Sequence, residues 1–167
     1  MKIIKGNLFT VDADCIAITT NGFVKKDGSC VMGKGCALEA SRKDAGIARR
    51  LGDLIKLNGN QVQLISDSPL ICSFPVKASH ATFTGDNAVR HMLNKFSIGQ
   101  RIPGWACKAS LELIKSSAHQ LRTLTDAKGW KKVVIPRPGC GAGELNWIEV
   151  KGLLDEILDD RFHSISF

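Results

Sequence analysis

No stretch of the sequence runs to about 18 apolar residues, so no membrane span is expected. The opening residues, MKIIKGNLF, hold too short an apolar stretch for a secretory signal and lack a small-residue cleavage site. A cytoplasmic location is the expectation. None of the six cysteines (Cys15, Cys30, Cys36, Cys72, Cys107, Cys140) forms a C-x-x-C pair, and the four histidines are not spaced with them. That argues against a zinc site, and no metal is expected. Cys15 in DCIAI and Cys72 in LICSF sit in apolar runs and read as reduced core thiols. Internal repeats and low-complexity segments are also missing. At 167 residues the chain is long enough for one domain with a real core and too short for two, so residues 1–167 read as a single domain.

Hydrophobic residues make up 44% and charged residues 23%, an ordinary globular balance. The net charge is +7, from 23 Lys and Arg against 16 Asp and Glu. A basic surface favours polyanions, either nucleic acid or a ligand with several phosphates. The charges are dispersed rather than massed in a tail, which weighs against dedicated duplex binding. A monomer is expected.

Strand and helix patterns alternate along the chain. KIIKG (2–6) and DCIAITT (14–20) are β-branched-rich runs, the second nearly all apolar, as a buried central strand should be. Residues 36–59 read as helix, a break at Gly46, then helix again, closed by Asn58-Gly59. QVQLIS and LICSFP are strands separated by the turn signal Asp67-Ser68-Pro69. Residues 75–104 are less regular, with a short helix expected at 86–96. The run from Trp105 to Gly129 places Leu113, Ile114, Ser117, Ala118, Leu121 and Leu124 on one helical face. KKVVIPR is the next buried strand. A last helix buries Trp147, Val150, Leu153, Leu154, Ile157 and Leu158, and FHSISF supplies a final strand. Such alternation means a sheet flanked by helices, with ligands gathering at the carboxyl ends of central strands.

Two loops therefore carry the functional signal. The first, GSCVMGKGC (28–36), almost matches a P-loop. But seven residues separate Thr20 from Gly28, and Gly35 stands where a metal-binding hydroxyl is required. No second strand ends in a metal-binding Asp. Without the P-loop reading, Gly28, Gly33 and Gly35 still join a buried strand to a helix, where backbone N–H groups face a phosphate. Lys34 becomes a rim charge. The second loop, PRPGCGAGELNW (136–147), has glycines at 139, 141 and 143, so two glycine-rich loops can pinch a diphosphate. Asn146 followed by Glu149 is similar to a capping box for the last helix.

With both loops in view, the chain resembles the macro domain, the ADP-ribose-binding module. KGNLFTVDADCIAITTN is similar to that family's opening, MGKGCALEA to its first phosphate loop, and IPRPGCGAGELNW to its second. The second loop comes nearest the branch of the terminal ADP-ribose protein glycohydrolase and its phage and bacterial relatives. The resemblance implies a three-layer α/β/α sandwich with a mixed sheet, and ADP-ribose as ligand with no other cofactor. Asn7 stands where the family has an Asp contacting adenine, which removes the charge from that contact. Leu8 adds a backbone contact, Thr20 ends the central strand, and Asn21 approaches the distal ribose. Val31, Met32, Gly33, Gly35 and Cys36 would wrap the distal ribose and a phosphate. Pro138, Gly139, Cys140, Gly141, Ala142, Gly143 and Glu144 would hold the diphosphate. Phe167 or Phe162 is in place to cover the adenine.

The implied activity is hydrolysis of an ADP-ribose derivative, either the 1″-phosphate or an ADP-ribosylated substrate. The alternatives are a non-catalytic ADP-ribose reader and a nucleic-acid-associated module. The glycohydrolase branch uses a Lys after a central strand, which falls near Pro75 with Lys77 two residues on. Its Asp falls on Gly143, with Glu144 adjacent. Chemistry by a positioned water and backbone amides would need Asn21, the two loops and one acid or base, for which Glu144 and His80 are the candidates.

Overall fold

The seven-residue strand β2, Cys15–Asn21, is buried almost end to end and can be satisfied only inside a sheet covered on both faces. The computed structural model, which describes residues 1–167, places it there. The flanking strands are β1 (Lys2–Lys5), β3 (Leu64–Asp67), β4 (Leu70–Lys77), β7 (Val133–Ile135) and β8 (Phe162–Ser166). They assemble in the order β1-β8-β7-β2-β4-β3. All neighbours pair parallel except β3 with β4, which turn on the cis Ser68-Pro69 bond. The sheet is mixed, as the sequence suggested.

Side chains alternate across it. Cys15, Ala17, Cys72, Phe74, Val133 and Ile135 meet one helical layer. That layer is α3 (Leu111–Lys128), through Ile114, Ala118 and Leu121, with α4 (Trp147–Ile157), through Val150 and Leu154. Ile16, Ile18, Ile71 and Val134 meet the other layer. That layer is α1 (Gly35–Lys43), through Ala37 and Ala40, with α2 (Ile47–Asn58), through Ile47 and Leu51. Each fully buried Leu or Ile contributes about 1.5–3 kcal/mol relative to exposure. The result is a three-layer α/β/α sandwich.

The helix ends follow their sequence signals. The α1–α2 break falls at residues 44–46, and Gly129 closes α3 in the left-handed conformation at φ 68°. Asn146 Oδ1 accepts from Ile148 N at 2.8 Å, capping α4. Three expectations need correction. The long helix begins at Leu111 rather than Trp105, because Ser110 caps it by accepting from Leu113 N at 3.2 Å. Residues 86–96 hold a 3-10 turn, Arg90–Lys95, in place of an α-helix. Trp147 and Leu153 are half-buried, since α4 presents them at the margin of its core.

Between β4 and α3 lies an excursion that the sequence did not resolve into elements. The short strands β5 (His80–Thr82) and β6 (Arg101–Pro103) pair antiparallel. They sit over a satellite core of Phe83, Ala88, Ile102 and Cys107.

Candidate functional site

The carboxyl ends of β1, β8, β7, β2 and β4 all point the same way, and a cavity of about 590 Å³ runs across them. Adjacent strands serve as a ruler. From β1 to β4 the four spacings cover roughly 19 Å. Gly6 follows β1, Ser166 ends β8 and Phe167 follows it, and Pro136 and Arg137 follow β7; all five line one end. Thr19, Thr20 and Asn21 of β2, with Val76 and Lys77 of β4, line the other.

The two glycine loops meet between these ends. Val31, Met32, Gly33, Lys34, Gly35 and Cys36 contribute from the first, and Gly139, Gly141, Ala142 and Gly143 from the second. The N–H groups of Gly33, Lys34, Gly35, Gly141, Ala142 and Gly143 make no hydrogen bond within the protein. Helix α1 starts at Gly35 with no side-chain cap and no acidic residue in its first turn. Free amides and an uncapped helix start give this middle section the polarity of an anion cradle. Glycine is obligatory at 143, where a Cβ would lie 2.5 Å from Gly139 O and 2.6 Å from Ala109 Cβ. An Asp is therefore excluded at the position where the sequence alignment would put one.

At the β4 end, Lys77 is only 8% exposed although it is a lysine. Its Nζ donates to Ala142 O at 3.0 Å and Trp105 O at 3.3 Å, and no carboxylate pairs with it. Burial holds its pKa below the ordinary lysine value of 10.5, with a smaller opposing pull from Cys107. Across the strand gap, Asn21 Nδ2 donates to Val31 O at 3.0 Å and its Oδ1 accepts from Phe23 N at 3.0 Å. The amide thus clamps the first glycine loop onto β2. Thr20 Oγ1 is buried beside it without a partner. Cys36 Sγ accepts from Thr19 N at 3.3 Å, and burial pushes its thiol up.

At the β8 end, the Arg137 guanidinium lies 5.1 Å from the centroid of the Trp147 ring and reaches Ser166 Oγ at 3.4 Å. Phe167 is 91% exposed and lines the cavity there, whereas Phe162 is fully buried in the α3–α4 core.

Leu8, Thr20, Asn21, Val31, Met32, Gly33, Gly35, Cys36, Gly139, Gly141, Ala142 and Gly143 line the cavity together. Six of the named residues stand outside the lining. Asn7 Oδ1 caps its own turn by accepting from Phe9 N at 2.8 Å. Gly28 closes a turn against α2, where a Cβ on Gly52 would lie 1.9 Å from its carbonyl oxygen. Pro138 is buried, and Cys140 is half-buried against the α3–α4 core. His80, on β5, packs edge-on against Phe23 at 5.2 Å. Glu144 Oε1 accepts from Arg90 N at 2.8 Å, latching the second loop to the 3-10 turn. The lining also holds Lys77, which the sequence reading set two places from the family's Lys position, and Arg137, Trp105, His91 and Glu39, which it did not place in the site. No group of three His, Cys, Asp or Glu side chains gathers to hold a metal ion.

These features define an α/β/α domain with a ligand cavity at its strand ends and an anion cradle between two glycine loops. No protein-family model matches the sequence, and neither does any curated protein sequence. Solved structures do match. The macrodomain of Mycobacterium tuberculosis DarG is similar over 99% of this chain and 97% of its own, at 17% identity and a TM-score of 0.71. The macrodomain of Thermus aquaticus DarG is similar over 99% and 97%, at 18% identity and a TM-score of 0.70. Thermosipho africanus DarTG in complex with ADP-ribose is similar over 98% of this chain and 41% of its own, at 16% identity and a TM-score of 0.69. The chain has the macro-domain fold.

Proposed function

We propose that the protein binds ADP-ribose along the strand-end cavity and hydrolyses an ADP-ribose derivative at the end marked by Asn21 and Lys77. The adenosine lies toward β8 and β1, the diphosphate over the free amides of the two loops, and the distal ribose beside β2 and β4. That order is supported by the position of the anion cradle midway along a cavity about as long as an extended dinucleotide.

The observation that carries hydrolysis is the buried Lys77. A neutral amine has two N–H donors and one lone pair. The carbonyls of Ala142 and Trp105 can take both donors, which leaves the lone pair without a protein partner. In this reading Lys77 attacks the anomeric carbon of the distal ribose and the acceptor group departs, taking up a proton. Water then cleaves the ribose–lysine adduct, releasing ADP-ribose and restoring the amine. This favours an ADP-ribosylated substrate over the 1″-phosphate. It also aligns the chain with the glycohydrolase branch of the fold. Glu144 and His80, outside the lining, take no part in the chemistry.

A second reading is a non-catalytic reader. It is favoured by the distribution of carboxylates, because Glu39 is the one acid in the lining and it lies on α1 near Lys43, at 3.9 Å. The deciding experiment is a panel of ADP-ribose 1″-phosphate and ADP-ribosylated protein and nucleic acid, assayed for release by wild type, Lys77→Ala and Asn21→Ala. Release from one substrate that disappears in Lys77→Ala supports the enzyme. No release from any member, with binding intact, leaves the reader.

A further inference from the structure

We propose that Lys34, in the first glycine loop, offsets the charge of a bound diphosphate at Lys77, so that substrate does not protonate the amine that attacks it. The inference rests on the hydrolytic reading above and adds the residue that keeps the nucleophile neutral. Lys34 acts through Lys77 and is a positioning residue.

The loop that carries Lys34 is tied to the end of β2 on either side of it. Val31 O accepts from Asn21 Nδ2 at 3.0 Å, and Cys36 Sγ accepts from Thr19 N at 3.3 Å. Asn21 is the cross-strand neighbour of Lys77. Lys34, between Gly33 and Gly35, is therefore held at the strand end beside Lys77, and both lysines belong to the lining of one cavity.

No local contact accounts for a lysine there. Lys34 is the N-cap residue of α1, where Ser, Thr, Asp and Asn are preferred and the helix dipole disfavours a cation. Its side chain caps nothing, and Glu39, the one acid in the lining, stands against Lys43 at 3.9 Å.

The groups around Lys77 act in opposite directions. Burial is the main cause of its low pKa; Cys107, beyond β6, opposes that lowering, Lys34 adds to it, and Glu144, in the second loop, opposes it. Burial raises the Cys107 thiol, so near neutral pH it carries no charge, and Lys34 and Glu144 remain. A diphosphate on the free amides of Gly33, Lys34 and Gly35 adds a further pull toward the ammonium form of Lys77. Lys34, in the same loop as those amides, is the cation placed to cancel it.

The test follows the Lys77 titration by NMR on lysine-labelled protein, with the signal assigned by its absence from Lys77→Met. The ligand is the 1″-deoxy analogue of ADP-ribose, which cannot condense with the amine. The same proteins give pH profiles of turnover. Wild type is compared with Lys34→Arg, Lys34→Met and Lys34→Glu; Lys34 is exposed, and melting temperatures verify that each variant folds. Lys34→Met should raise the Lys77 midpoint in the complex by roughly one pH unit. Below that midpoint turnover falls about tenfold, and the deficit closes as pH rises. Lys34→Arg keeps the charge and the midpoint, whereas Lys34→Glu moves the midpoint further up than Lys34→Met does. A midpoint that is the same in wild type and Lys34→Met overturns the inference, and weaker binding without that shift makes Lys34 a phosphate contact only. A turnover deficit that persists at high pH also overturns it. If wild type binds ADP-ribose and turns nothing over, the hydrolytic reading fails, and the midpoints alone uphold or overturn the charge offset. A wild type that binds neither ADP-ribose nor the analogue overturns the proposed function and this inference together.

Discussion

Lys77 pairs with Asn21 across β4 and β2, although one step earlier Thr20 pairs with Pro75. Continuous register would set the apolar Val76 opposite Asn21. A one-residue bulge advances the chain instead and brings the lysine level with the asparagine at the floor of the cavity. Bulges commonly re-aim side chains next to functional sites. Here the displaced backbone is held from the side: Asn60 Nδ2 and Gly22 N both donate to Lys77 O, at 3.0 and 3.1 Å.

Asn60 should therefore act through Lys77. Asn60→Ala removes a part-buried hydrogen bond whose acceptor keeps its bond from Gly22 N, for about 0.5–1.5 kcal/mol, and lowers the melting temperature by roughly 2–4 °C per kcal/mol. The turnover number should fall at least tenfold while ADP-ribose affinity changes little, because the loops proposed to hold the diphosphate are untouched. Single-turnover rates and calorimetry on the same variant check the split.

Lys77 itself should give the reaction its pH dependence. Burial lowers its pKa, so a rate requiring the neutral amine rises with pH along a limb centred below 10.5. The sign of the stability effect follows from the same shift. Between the lowered folded pKa and the ordinary unfolded value, the unfolded chain binds more protons. The contribution to stability therefore increases as pH rises through that window. Lys77→Met should abolish turnover, retain ADP-ribose binding, and remove that part of the pH dependence of unfolding.

Glu144 tests the assignment from the opposite direction. Its carboxylate holds Arg90 N, and its own backbone has φ 62°, so its role is to latch the second loop. Glu144→Gln should keep turnover within a few-fold of wild type. A general acid or base would lose about 10²–10⁴-fold on the same change, which steady-state kinetics would reveal at once.

The loop glycines differ in what they tolerate. Gly143→Ala drives a methyl into Gly139 O and Ala109, and should cost stability, about 2–4 kcal/mol, together with binding. Gly33 has open space around it and no left-handed φ, so Gly33→Ala should leave the melting temperature within a degree or two of wild type. Any loss of ADP-ribose affinity in that variant reports crowding of the ligand alone. Thermal unfolding and calorimetry on the pair separate the two effects.

Much of the architecture was legible in the sequence because its signals are local. The buried run 14–20, the break at Gly46, the cap at Asn146 and the terminator Gly129 each state their element directly. The two glycine loops marked the middle of the strand-end cavity, where their free amides gather. What escaped depends on register and tertiary contact. A one-residue bulge leaves no mark in composition, and it accounts for one of the two places by which Lys77 stands beyond the position the family pattern asks for. The excursion at 78–110 has short strands over a four-residue core, too small to impose a period. Arg137 reads as a solvated charge until Trp147 is seen behind it, and Glu144 reads as an acid until its oxygen is seen on a backbone amide.

The central claim is that the strand-end cavity is an ADP-ribose site, and calorimetry with ADP-ribose, AMP and ATP tests it most directly. ADP-ribose should bind with clear preference over both nucleotides, and Gly143→Ala should lose that binding. Equal affinity for ATP and ADP-ribose, or no heat with ADP-ribose at all, would contradict the account.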